Sequence, residues 1–228
     1  MNNHFVRRGI QLGMAVLLLT TVAFTAQIDP NFAQAQQENA AALRQYTWKS
    51  RTEIQKSGET KNVRLALVRY DSYGTLQETT ISSGPEQQLP TRGIRGLIAQ
   101  KKKENFMETL DSLGTLAKSY GELRPDQMQR FMATAIVTPE MTSQQKLVRI
   151  SGGNVLRPGD SMTLWVDAVT RRQRRVEIQT MLDRKPVRIV SDFEALPNGP
   201  SYMARSVVNW SEELTLITDN FAHQRVMR

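Results

Sequence analysis

The sequence contains no cysteine, which excludes disulfide staples, thiolate metal sites and thiol redox chemistry. Histidine is almost as scarce. His4 lies near the start of the chain and His223 near its end, too few imidazoles for a catalytic zinc centre, which usually takes three protein ligands. The carboxylates are scattered singly, with no loop of the EF-hand kind and no spacing that favours a glycosidase pair. There is no internal repeat and no low-complexity tract. These absences predict a protein without metal or cofactor.

What is present begins with a leader pattern. Arg7 and Arg8 precede the uncharged run Gly9–Ala26, and Ala33-Gln34-Ala35 supplies the small residues a signal peptidase needs. This predicts a signal peptide over residues 1–35, cleavage before Gln36, and export to the periplasm. The alternative is an uncleaved membrane anchor, because Gly9–Ile28 is an uncharged run long enough to span a bilayer. Residues 36–228 then have the size of a single domain that buries enough surface to fold unstapled. With 30 Lys and Arg against 22 Asp and Glu, the formal net charge is +8. Export argues against nucleic acid as the partner, so an anionic membrane surface or an envelope protein fits the charge better.

Period-two alternation dominates the chain. Tyr46, Trp48, Ser50, Thr52 and Ile54 share one strand face, and Val63–Tyr70 and Leu76–Ile81 continue a three-strand meander. The longest such region is Leu147–Phe221, where Val176, Ile178, Thr180 and Leu182, then Val187, Ile189, Ser191 and Phe193, alternate with mostly polar residues. This predicts an antiparallel sheet with one face buried and one wet. Ser151–Asn154 reads as a hairpin turn with Val155–Arg157 as the next strand, and about ten strands are expected in all. Ser82–Arg95, rich in Gly and Pro, reads as irregular. Phe106, Leu110, Leu113, Ala117 and Tyr120 fall at helical spacing. Pro125 suits the start of a second helix, with Met128, Phe131, Met132 and Ala135 on one side and Pro139 as its close. The fold class expected is mainly β (α+β): a curled antiparallel sheet or open barrel, with a helical insert at about 97–136 covering one face.

Gly159-Asp160-Ser161 has the form of a lipase-type nucleophile block, but a triad needs a base and an orienting acid. The one candidate, His223 with Asp219, has the wrong spacing, so the block reads as a turn and no catalytic residue is expected. Two basic clusters, Lys101-Lys102-Lys103 and Arg171, Arg172, Arg174, Arg175, are candidates for an anionic partner or simply solvated faces. Lys101–Lys103 is placed at the opening of the helical insert. Tyr46, Trp48, Ile178, Ile189, Phe193, Tyr202 and Trp210 are expected to point into the curled sheet, either filling it or lining an apolar cavity. Trp165 falls on the opposite face.

The leader, a short helix near Gln36–Arg44, the Tyr-x-Trp strand, the hairpins and the mid-chain helical pair come in a distinctive order. With Ser161–Asp167 and above all Arg174–Trp210, with its Asn198-Gly199-Pro200 turn, that order resembles the LolA/LolB-like periplasmic lipoprotein-carrier and sorting proteins. The resemblance implies an open antiparallel barrel, helices lidding its concave face, and the acyl chain of a lipid or lipoprotein as ligand. The alternative is a structural module of a cell-envelope complex with a filled core and a working basic surface.

Overall fold

The alternation resolves into ten strands. A computed structural model describes residues 31–84, 93–141 and 146–226. Most of the expected leader, and the whole Gly9–Ile28 run, lie outside them. In chain order the elements are α1 (Asn31–Leu43), β1 (Tyr46–Lys56), β2 (Glu59–Tyr70), β3 (Leu76–Ser83), α2 (Gly93–Gly121), α3 (Pro125–Thr134) and β4 (Ile136–Met141). Then follow β5 (Lys146–Gly153), β6 (Ser161–Asp167), β7 (Gln173–Leu182), β8 (Lys185–Ala195), β9 (Ser201–Trp210) and β10 (Leu214–Arg225).

All strands form one antiparallel sheet in the order β3-β2-β1-β10-β9-β8-β7-β6-β5-β4. The sheet is not closed, because β3 and β4 are both edges. The first strand is interior, third from the β3 edge, and the helices α2 and α3 join one edge to the other. Short hairpins carry the rest; Asp183 and Arg184, both at positive φ (51° and 61°), make a tight two-residue turn between β7 and β8 of the kind that matches strand twist.

Strands β5 to β10 turn apolar residues inward. Ile150, Met162, Leu164, Val166, Val176, Ile178, Val187, Ile189, Val208 and Leu214 pack against Leu113, Leu116 and Tyr120 of α2 and Phe131 of α3. The outer face carries charge in register. Arg175, Asp192, Arg205, Asp219 and Arg51 form one cross-strand row over five strands. Arg175–Asp192 and Arg205–Asp219 pair at 2.8 and 2.7 Å. Exposed pairs of this kind add little stability each. They do penalise a slip, since shifting a strand by one residue would turn its charges into the core.

α2 lies along a single row of the sheet. Thr180, Val187, Trp210, Leu214 and Lys56 are successive cross-strand partners from β7 to β1, about 19 Å at 4.8 Å per strand. Tyr120 meets Thr180 at one end, and the Lys56 ammonium sits 5.7 Å over the Phe106 ring at the other. From Phe106 to Tyr120 an α-helix rises about 21 Å. That segment of α2 therefore matches the width it crosses.

Several expectations need correction. β5 continues through Ser151–Gly153, and Val155–Arg157 is a loop, because its amides go to a side-chain carboxylate instead of a neighbouring strand. Pro139 does not close the helical segment but lies in β4, opposite Val148; as an edge strand, β4 tolerates a residue without an N–H. α2 begins at Gly93, inside the stretch read as irregular, so Lys101–Lys103 lie in its third turn and do not open it. α1 spans Asn31–Leu43, starting ahead of the short helix expected near Gln36–Arg44.

The seat of α3 is a contact between a ring and a bare backbone. A Cβ on Gly152 would stand 2.9 Å from Cε2 of Phe131, and Phe131 is itself buried. Gly152→Val should therefore unseat α3 and lower stability by about 2–3 kcal/mol in urea unfolding, whereas Gly153→Ala, against one carbonyl at 3.2 Å, should cost less.

Candidate functional site

The inner face is where sequence and fold converge, and a buried carboxylate fixes the helix that covers it. The loop 154–160 folds back on itself because Gly159 takes a positive φ of 82° and donates its N–H to Asn154 Oδ1. This brings Asp160, 4% exposed, under the amides of Val155, Leu156 and Arg157, which donate to it at 2.6, 2.9 and 2.9 Å. The fourth donor is the phenol of Tyr120, at 2.6 Å from Oδ2. Thr180 Oγ1 lies 3.0 Å from the same phenol oxygen. With the phenolic proton committed to the carboxylate, the threonine hydroxyl is left to donate to the tyrosine.

Burial alone would raise the Asp160 pKa, but Tyr120 and the three amides outweigh it and hold the carboxyl below its ordinary range. Burial and the adjacent carboxylate push the Tyr120 phenol up to about 12. Asp160 is thus a turn residue, as its sequence context indicates, and also the anchor for α2.

The same geometry disposes of the triad. Starting from Ser161 and following hydrogen-bonded partners, the row passes Gln179, Arg188 and Asn209 to Thr215. His223 lies eight residues further along β10, about 27 Å at 3.4 Å per residue. Ser161 and His223 do not meet. Among the described residues no three His, Asp or Glu side chains converge to hold a metal.

Of the expected cavity residues, Ile178 and Ile189 are buried in the core beneath α2, and Phe193 and Trp210 pack against it. Trp210 also donates its indole N–H to the Leu182 carbonyl at 3.3 Å. Trp48 is buried in a separate aromatic group near the other end of β1, 5.8 Å from Tyr70 and stacked 5.6 Å from His223. His223 in turn lies 3.9 Å from Tyr202, and burial lowers its pKa. Tyr46 stands at the start of β1, its hydroxyl near Gly199.

Between Tyr202 and Val208 the strand β9 is irregular. A register shift between Asp192 and Phe193 leaves Arg205 opposite the first and Met203 opposite the second, so β9 holds one extra residue and bends there. Tyr202 pairs with Glu194, to whose carboxylate its hydroxyl donates at 3.1 Å, while its ring lies in the aromatic group with His223 and Trp48.

The basic clusters separate. Arg174 pairs with Asp167 at 3.1 Å and Arg175 with Asp192, its guanidinium also 6.0 Å from the Trp165 ring. Arg171 takes a positive φ of 56° in the turn before β7, and Arg172 is half-buried beside it. Trp165, on the outer face as expected, donates to Glu140 at 3.0 Å. Lys101, Lys102 and Lys103 are all exposed. A separate surface groove of about 320 Å³ lies between Gln127 and Arg130 of α3 and residues 154–158, but its guanidinium groups are engaged: Arg130 with Asp126 and Arg157 with the Met181 carbonyl.

Strand order and helix placement can be set beside solved structures. The fold is similar to that of LolA superfamily proteins. The LolA superfamily protein of Nitrosomonas europaea matches at 12% identity over 86% of this chain and 94% of its own, with a TM-score of 0.34. A domain described as an outer membrane lipoprotein-sorting protein of Vibrio parahaemolyticus matches at 8% identity over 84% and 91%, TM-score 0.39. The MucA/MucB complex of Pseudomonas aeruginosa contributes a match at 10% identity over 87% and 100%, TM-score 0.25. No family model and no curated protein sequence matches this chain. At these identities and scores the likeness carries no argument, and both the fold and the functional reading rest on the chain's own residues.

The anchor makes two predictions. Asp160→Ala strands Tyr120 and three amides, and should destabilise the protein by about 3 kcal/mol or more, against about 1–2 kcal/mol for Tyr120→Phe, in denaturant unfolding. Because the Asp160 carboxyl is depressed on folding, its contribution is complete above the ordinary carboxylate pKa of about 4 and is lost as pH falls through the lower folded value. Asp167, held at about 2 against its own burial by the Thr170 amide and Arg174, acts with the same sign. Stability should therefore drop between about pH 4 and pH 2, and Asp160→Asn should flatten that drop.

Proposed function

We propose that this is a non-enzymatic exported protein that holds an acyl chain of a lipid or lipoprotein between the curled sheet and the α2–α3 pair. The observation that carries the reading is the layer where helices and sheet meet. Apart from the Tyr120–Asp160–Thr180 group at one end, it is built of apolar side chains and contains Met128, Met132 and Met162 beside Phe106, Leu110 and Phe131. Unbranched thioether side chains repack readily around a changing neighbour. Parting the helices from the sheet and threading an acyl chain between them exchanges one set of apolar contacts for another. Burial of the chain contributes roughly 0.8 kcal/mol per methylene to offset the opening.

Tyr120, in the last turn of α2, sets how readily the layer opens, because its phenol ties the helix to the Asp160 loop. The reading includes cleavage of the leader before Gln36 and a periplasmic location. Among the described residues no helix is long and apolar enough to cross a membrane. The second reading, an envelope-complex module with a filled core, is favoured by one observation: the layer beneath α2 is closely packed by its own side chains.

Two measurements separate the readings. Protein purified from a native membrane extract should carry co-bound lipid detectable by mass spectrometry and bind a fluorescent fatty acid. Tyr120→Phe should take up the probe several-fold faster while remaining folded. Absence of both lipid and probe binding, in the wild type and in Tyr120→Phe alike, would exclude the acyl carrier and leave the envelope module.

A further inference from the structure

Beside the row that α2 follows, the inner face is aliphatic for one further row and then changes character. The first of these rows runs Ile178, Ile189, Val208, Leu216 and Ile54 from β7 to β1. The next inward row, two residues on in each strand, runs Ser191, Ser206, Thr218 and Thr52. Four neighbouring strands thus switch from aliphatic to hydroxyl at the same step. Beyond that row Asn220 stands opposite Ser50. At 3.4 Å per residue and 4.8 Å per strand the stripe lies about 14 Å from the row under α2 and is about 14 Å wide. Trp48, two residues before Ser50 and stacked on His223, bounds its far side.

The charged residues of these strands face outward, so the hydroxyls are not the wet side of an ordinary strand. Ser191 and Ser206 bond to each other at 2.9 Å, and Asn220 gives an N–H to the Met203 carbonyl at 2.9 Å. Among the described residues the hydroxyls of Ser50, Thr52 and Thr218 donate to no protein acceptor, although Ser50 is only 8% exposed. A hydroxyl shielded from bulk water needs a partner. The next residue in the row is Arg64, opposite Thr52, and Glu78 pairs with it at 2.7 Å. The stripe therefore presents neutral donors and acceptors, with its neighbouring cation already matched.

We propose that this stripe seats the headgroup of the acyl ligand, and that the headgroup is uncharged and rich in hydroxyls, glyceryl or glycosyl in kind. The proposal rests on the acyl-carrier reading and names the class of lipid carried. A tail lying under α2 crosses the aliphatic row and delivers its head to the stripe. A phosphate there would be stripped of water without a cation to meet it.

The test is displacement of the fluorescent fatty-acid probe from the full-length protein by amphiphiles of one chain length below their micelle concentrations: monolaurin, dodecyl glucoside and dodecyl phosphate. The neutral pair should displace the probe at concentrations about tenfold lower than the phosphate does, and their relative order tells a glyceryl from a glycosyl head. Each neutral hydrogen bond contributes about fivefold, so Thr52→Val/Thr218→Val should weaken the neutral pair by about 25-fold and leave dodecyl phosphate and the probe unchanged. Valine keeps the branched shape and suits a strand. Thr52→Ser/Thr218→Ser retains both hydroxyls and should keep the wild-type order. Hydroxyls with a structural role alone would shift the urea midpoint in the valine variant without changing that order. Displacement by dodecyl phosphate as good as by the neutral pair, or a valine variant with the wild-type order, would overturn the proposal. Wild-type protein that takes up no probe removes the carrier reading and this proposal with it, whereas uptake without any headgroup order removes this proposal alone.

Discussion

The chain enters its sheet at an interior strand, and this constraint governs the rest of the molecule. β1 must accept β2 on one side and β10 on the other, so β3 becomes one edge and β4 the opposite edge. The segment between those two strands has to cross a ten-stranded sheet. An extended connection would leave its backbone polar groups unpaired over apolar side chains. A helix satisfies them internally, and an amphipathic one also supplies the apolar surface that the concave face lacks. The covering helices are thus a requirement of the strand order.

Crossing is not enough to fix the helix in place, since apolar contacts alone permit sliding. Asp160 supplies the direction. Its carboxylate is satisfied by three amides of its own loop, and the one remaining strong donor comes from Tyr120, forty residues earlier. The network holds α2 at a defined point on the row that runs from Thr180 to Lys56, and the matched width of helix and sheet does the rest.

Much of this was legible from sequence. Period two announces the strands, and the alternating polar residues announce a wet outer face, because each inward apolar side chain must be followed by one that meets water. The failures share one cause: groups whose hydrogen bonds go somewhere the pattern does not show. Val155–Leu156 look like strand residues, yet their amides serve a carboxylate. β4 carries little alternation because an edge strand buries little on either face. The partnership of Tyr120 with Asp160 has no local signal at all. Of the candidate residues, Ile178 and Ile189 are buried in the core, since burial is written in their periodicity. The arginines of β7 turned out to be partners of Asp167 and Asp192, a pairing set by strand register.

The helical pair is covalently continuous with both free edges of the sheet. Between α3 and β4 the link is the single residue Ala135, so whatever lifts α3 pulls directly on that edge. The breadth of a guest beneath the helices would then be felt first at β4, an edge strand that buries little itself.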